Sequence, residues 1–256
     1  MVYIGYKRKG KNIERVMYDK SHKAWVFTLD GFHFVSKGPG WVQEFSYLLD
    51  NLKRYSGHHY LPKAGDLVID LGAGVGEETL TFSKLVGPAG KVFSIEAHPS
   101  TAGILKYACK LNKLNNVKVD NIAIADRDGK ITIQDESEEY LKNTISSISA
   151  TNAKEVQVDA LTLDHYLERN KIEQIDFLKV NIEGAEQLML LGMSKSVNQI
   201  KNLAISCHDF RWAAGESEFY KTHDKVMAFL KNHNFHVIQR QTGDVIIDSY
   251  LYGVKI

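Results

Sequence analysis

The chain has 256 residues, a quarter of them charged, and a formal net charge of +1. That balance excludes a partner chosen by bulk electrostatics, such as nucleic acid or an anionic membrane surface. The length suits one large α/β domain or one domain with a modest extension. No apolar run approaches a membrane span, and the first residues lack the apolar core of a signal peptide. The two cysteines, Cys109 and Cys207, both sit in apolar runs. These features together predict a cytoplasmic protein with two buried free thiols.

Residues 1–65 read as an N-terminal elaboration. Ala24–Leu29, the pair Asp30-Gly31 and Phe32–Ser36 spell a β-hairpin, because Asp-Gly suits a two-residue turn with positive φ. Gly38-Pro-Gly40 interrupts the chain, and a helix follows with Trp41, Phe45, Leu48, Leu49 and Leu52 on one face. His58 and His59 behind it read as a polar cap. No third ligand lies at helical spacing, so no metal is expected.

Residues 66–256 read as a second unit in which strands alternate with helices, the pattern of a parallel sheet covered on both faces. The predicted strands are Leu67–Leu71, Lys91–Glu96, Val117–Ile122, Ile175–Val180, Leu203–His208, Phe235–Gln239 and Tyr250–Ile256. The link between the last two is too short for a crossover, so the last strand should run antiparallel. Between Ile122 and Leu161 the chain departs from the alternation. That stretch holds two probable strands, Lys130–Gln134 and Glu155–Val158, and a Ser/Thr-rich loop at 142–152.

The first of these strands runs into Gly72, Gly74 and Gly76 and then into a helix. Alternate glycines open backbone angles closed to other residues and let a ligand approach the main chain. The dinucleotide fingerprint needs glycine at position 77, where this chain has Glu77, and no Lys-Ser/Thr pair follows to make a phosphate-cradling loop. Glu96 closes the second strand, where an acid can accept hydrogen bonds from both hydroxyls of a ribose.

The glycine turn, the acid and seven strands with an antiparallel last one resemble the S-adenosylmethionine-dependent methyltransferases of Rossmann-like fold. Val68–Gly76, Ala123–Gly129, Leu161–Asp164 and Ile175–Glu186, in that order, resemble the FkbM-type methyltransferases more narrowly. The resemblance implies a seven-stranded, mostly parallel sheet with S-adenosylmethionine as cofactor. It implies a cofactor site built from Asp70, Gly72, Ala73 and Gly74 at the methionine end, Glu96 and Ala97 at the ribose, and Asn121, Ile122 and Ala123 at the adenine. The implied reaction is transfer of a methyl group to a hydroxyl on a small polar molecule, a sugar or a natural product. Candidate catalytic residues are Lys179, Asn181 and Glu183 at the end of the fourth strand and His208 at the end of the fifth. His208 is the expected base, since imidazole titrates near working pH. Glu186, one turn on, is expected to fix Lys179 or the neighbouring loop. The family usually carries aspartate where this chain has Asn181 and glutamate near Ser206, which leaves a non-catalytic cofactor-binding module as the alternative reading. The hairpin, the 142–152 loop and Arg211-Trp212 are expected to wall the acceptor site.

Overall fold

The computed structural model describes residues 13–38, 44–135 and 154–256. Trp41 and the Ser/Thr-rich 142–152 loop lie outside the described residues. The elements, in chain order, are β1 (Ile13–Asp19), β2 (Ala24–Leu29), β3 (Phe32–Ser36), α1 (Phe45–Arg54), β4 (Leu67–Leu71), α2 (Glu77–Val86), β5 (Lys91–Ile95) and α3 (Pro99–Leu111). They continue with β6 (Val117–Asp120), β7 (Ala123–Ile124), β8 (Gly129–Asp135), β9 (Lys154–Leu161), α4 (Leu163–Asn170), β10 (Ile175–Val180) and α5 (Glu186–Leu191). The last are β11 (Ile200–Ser206), α6 (Asp209–Ala213), α7 (His223–Asn232), β12 (Phe235–Gln239), α8 (Val245–Asp248) and β13 (Tyr250–Lys255).

Seven strands form the central sheet in the order β12-β13-β11-β10-β4-β5-β6. β13 pairs antiparallel with both neighbours, and the other pairings are parallel. The antiparallel last strand is therefore present as predicted, inserted one place in from the edge. Strand alternation divides the core between the two faces. Ile69, Leu71, Leu178, Val180, Leu203 and Ile205 pack on one side with Leu167, Met189, Val226 and Leu230 from α4, α5 and α7. Val68, Phe177, Ala204 and Tyr252 pack on the other with Leu52 of α1 and Phe82 and Val86 of α2.

Register turns this alternation into chemistry at the carboxyl ends of the strands. Asp70 is paired across the ladder with Ser94 on one side and Lys179 on the other, so all three lie in one row on the α2 face. The row is buried, and its polar groups satisfy one another: Thr79 of α2 donates to Asp70 at 2.7 Å, and Lys179 donates to Asp70 at 2.9 Å.

Two regions differ from the sequence expectation. The N-terminal hairpin has a third strand, β1, paired with β2. The small sheet buries Ile13, Phe27, Leu29 and Phe34 against Leu80 of α2 and Leu48 of α1, and Ala24, Val26 and Val35 against Ile104 and Ala108 of α3. Its residues do not line the cleft described below, because they are occupied with these helices. The two strands foreseen after β6 pair antiparallel as β8 and β9, and β7 joins them in a separate three-stranded sheet. That sheet puts Ile133, Val158 and Ala160 against Ala97, beside the end of β5.

Candidate active site

A cleft opens at the carboxyl ends of β4, β5 and β10, lined by the glycine turn, the 95–98 segment, residues 122–124, the small β7–β9 sheet and the 181–185 turn. This is where open α/β sheets bind ligands, outside the strand ends.

The glycine turn is shaped by contact as well as by angle. Gly72, Gly74 and Gly76 all have positive φ, at 76°, 57° and 100°. A β-carbon on Gly72 would collide with the backbone carbonyl of Asn181, and one on Gly76 with Leu105. The amides of Gly72 and Ala73 both donate to the carbonyl of Ile95, tying the turn to β5. Lys179 supports it from below, donating to the Gly72 carbonyl at 2.8 Å. Burial works against the Lys179 charge, but Asp70 and Glu78 beside it outweigh that cost and hold its pKa above the ordinary lysine range.

Glu96 forms the opposite wall. One carboxylate oxygen accepts from the Gly74 amide and the other from the His98 amide, both at 2.9 Å. Burial pushes the carboxyl above its ordinary range, and the two amides pull the other way. Asn121 donates its side-chain amide to the carbonyls of Glu96 and Ala97, at 2.9 and 2.7 Å, and so fixes the 96–98 segment without lining the cleft. Ile122, Ala123, Ile131 and Ile133 make an apolar slot beside it.

The third wall is the turn Asn181-Ile-Glu-Gly184. Glu183 and Gly184 have φ of 54° and 91°. A non-glycine residue held in this region costs about 1–3 kcal/mol and persists only where its surroundings impose it. Here Arg211 of α6 donates to Glu183 at 2.6 Å while bound also to Glu216 and stacked 3.9 Å over Tyr220. His208 lies behind the turn, 3.0 Å from Glu186 through Nδ1 and 3.4 Å from Glu183 through Nε2. Nδ1 makes no hydrogen bond, so charge carries the attraction to Glu186. Burial penalises the charged ring, yet the two carboxylates outweigh it and the His208 pKa is pushed up to about 10. Burial likewise works to raise the Glu183 carboxyl, but His208 and Arg211 hold it below the ordinary range.

The expected residues therefore divide. Gly72, Gly74, Glu96, Ala97, Ile122, Ala123, Asn181 and Glu183 line the cleft. Asp70, Ala73, Asn121, Lys179 and His208 do not. Asp70 and Lys179 face the α2 side of the sheet, and Ala73 packs against Leu105 and Cys109. His208 is 2% exposed and lies behind the 181–184 turn, outside the cleft lining. Arg211 reaches the cleft only through Glu183. Two features escaped the sequence reading. His98 lines the cleft one residue past Ala97, a position the chain order alone could have suggested. Ile131 and Ile133 line it from β8, visible in sequence only as a strand.

The cleft fits S-adenosylmethionine on three counts. Gly74 has open space where a side chain would stand, Glu96 offers a carboxylate at the far wall, and isoleucines form a slot for a flat base. The side-chain oxygen of Asn181 is buried without a partner. A buried acceptor left unpaired is costly, and a donor on a bound molecule would satisfy it.

Comparison with known proteins agrees with this geometry. Residues 70–237 match the Methyltransferase FkbM domain. The fold is similar to that of a methyltransferase FkbM from Methylobacillus flagellatus KT, with TM-score 0.55 and 16% identity over 82% of this chain and 50% of that one. The chain thus spans about half the length of that protein. It is also similar to an O-methyltransferase from Bacillus cereus solved in complex with SAH, with TM-score 0.50 and 12% identity over 84% of this chain and 83% of that one. No curated protein matches the chain. The match over residues 70–237, which holds the glycine turn and the 181–186 segment, establishes that this chain belongs to the FkbM methyltransferase family.

Proposed function

We propose that the chain transfers a methyl group from S-adenosylmethionine to a hydroxyl of a small polar molecule such as a sugar or a natural product. The observation that carries this reading is the unpaired, buried side-chain oxygen of Asn181 in the cleft wall, in backbone contact with the glycine turn. An amide oxygen there accepts a hydrogen bond from a neutral O–H donor and so orients it.

When bound, the cofactor supplies a methyl group on a positively charged sulfur. The protein's share is orientation, which alone is worth several kcal/mol in such a transfer. Gly72 and Gly74 would hold the methionine end, Glu96 the ribose, and Ile122, Ile131 and Ile133 the base. Asn181 would orient the acceptor hydroxyl. Its proton would pass to the Glu183 carboxylate as the oxygen–carbon bond forms and the carbon–sulfur bond breaks, the sulfur keeping the electron pair. Glu183 is a weak base, kept ionised by Arg211 and His208, so proton removal lags behind methyl transfer in this scheme.

Calorimetry with S-adenosylmethionine, followed by release of S-adenosylhomocysteine across a panel of glycosides and polyols, tests the proposal. Binding together with release on a hydroxyl compound is expected. Binding with no release on any hydroxyl compound, but release on amines or thiols, would sink the O-methylation reading. The absence of cofactor binding would sink the whole assignment.

A further inference from the structure

Glu186 lies on the first turn of α5, which has only six residues, yet its carboxylate is entirely buried. One oxygen is 3.3 Å from the amide of Ile182 and 3.3 Å from the amide of Gly184. Where a residue of negative φ is followed by one of positive φ, as Ile182 is by Glu183, the amides on either side turn toward one point, and such a concavity binds an anion. Here the anion is the chain's own Glu186, and the second oxygen has no partner. A carboxylate in that position is tolerable only beside a cation. That cation is His208, itself fixed by its backbone amide 3.4 Å from the Thr222 hydroxyl and by the Phe210 ring against it. Gly184 has no room for a β-carbon, which would lie 2.7 Å from Phe219 and 2.9 Å from Tyr220. The turn is therefore clamped from behind by charge and from outside by aromatic packing. Asn181, Ile182 and Glu183 line the cleft on its open side.

We propose that Glu186 and His208 form a positioning pair, in which the carboxylate gathers the amides of the 181–184 turn and the histidine ring anchors the carboxylate, so that Asn181 presents its unpaired oxygen to an N–H or O–H donor on the bound molecule. Neither residue of the pair touches the ligand. Both act through Asn181. The proposal rests on the methyl-donor reading of the cleft and adds to it the device that aims its acceptor wall.

The test combines the KM for the hydroxyl compound that the glycoside and polyol panel identifies, at saturating S-adenosylmethionine, with amide resonances of the free protein. Glu186→Gln and His208→Gln each raise that KM about tenfold while the calorimetric affinity for S-adenosylhomocysteine holds, and the double variant is no worse than the more affected single one. In an Asn181→Ala background, Glu186→Gln has no further effect. A merely structural role would instead give losses that add in the double variant and persist without Asn181, and that result overturns the proposal. In the unliganded protein, the backbone amide resonances of Ile182 and Gly184 shift in His208→Gln, although both amides point to Glu186. Unmoved resonances also overturn it. Should the parent bind neither S-adenosylhomocysteine nor S-adenosylmethionine while these resonances shift, the cofactor reading fails and the positioning pair stands.

Discussion

Glu96 shows how far a single residue could be read from the chain alone. An acid at the end of the second strand, a fixed distance past a glycine turn, needed only strand periodicity and spacing to be singled out. The structure adds that it is already held by two backbone amides. Glu96→Ala is expected to weaken S-adenosylmethionine binding about 10- to 100-fold, since hydrogen bonds to a charged group contribute about 1.5–3 kcal/mol. Calorimetry reads this directly, and undiminished affinity would remove the ribose assignment. His208 was legible as a titratable residue in the right place but not in the right state. Its charge is set by Glu183 and Glu186, which sequence order brings near only once β10 and β11 pair. Its raised pKa has a consequence for stability. Because the folded value of about 10 exceeds the ordinary 6.5, the contribution is fully present below about pH 6.5 and is lost as pH rises toward 10. Denaturant unfolding of the parent and His208→Gln should therefore diverge most at pH 6 and converge near pH 10. Glu183→Gln, with the same shape and no charge, is expected to lower turnover about a hundredfold with little change in cofactor affinity.

Elements with a strong period were legible, and those defined by tertiary contact were not. β4, β10 and β12 coincide with their expected limits because apolar runs and turn residues bound them on both sides. The segment after Gly215 reads as one long helix from about Glu218. In the structure it is a short 3₁₀ turn at Glu218–Tyr220 followed by α7 at His223–Asn232. Asp209 explains the break, because its carboxylate accepts from the amides of Thr222 and His223 and so starts the second helix afresh. The 3₁₀ turn then leaves Phe219 and Tyr220 against Gly184. Gly184→Ala should therefore lower the midpoint of thermal unfolding and loosen cofactor binding together, through both the φ of 91° and the aromatic contact. A variant with unchanged binding would uncouple this strap from the cleft.

For the whole molecule, the division at residue 65 was drawn from a change of pattern, and pattern says little about cooperativity. The N-terminal sheet shares apolar clusters with α1, α2 and α3. Removal of residues 1–38 uncovers Leu80, Ile104 and Ala108, so the remainder should unfold at a lower temperature than the full chain. The full chain is expected to unfold in one calorimetric transition, and two resolved transitions would show the N-terminal part to be a unit of its own. The small β7–β9 sheet was foreseen only as two loose strands, because its use depends on Ala97 and the cleft beyond it.

One contact reaches beyond the fold. At Gly72 the glycine turn meets the carbonyl of Asn181 with no side chain between them, so these two walls of the cleft are gauged against each other by main chain alone. Side-chain replacement at Asn181 can change what is grasped but not the spacing of the jaws. In the proposed transfer, a different acceptor is accommodated by re-cutting the side walls, at Glu183 or around Ile131 and Ile133, while the span between the two main-chain walls stays constant.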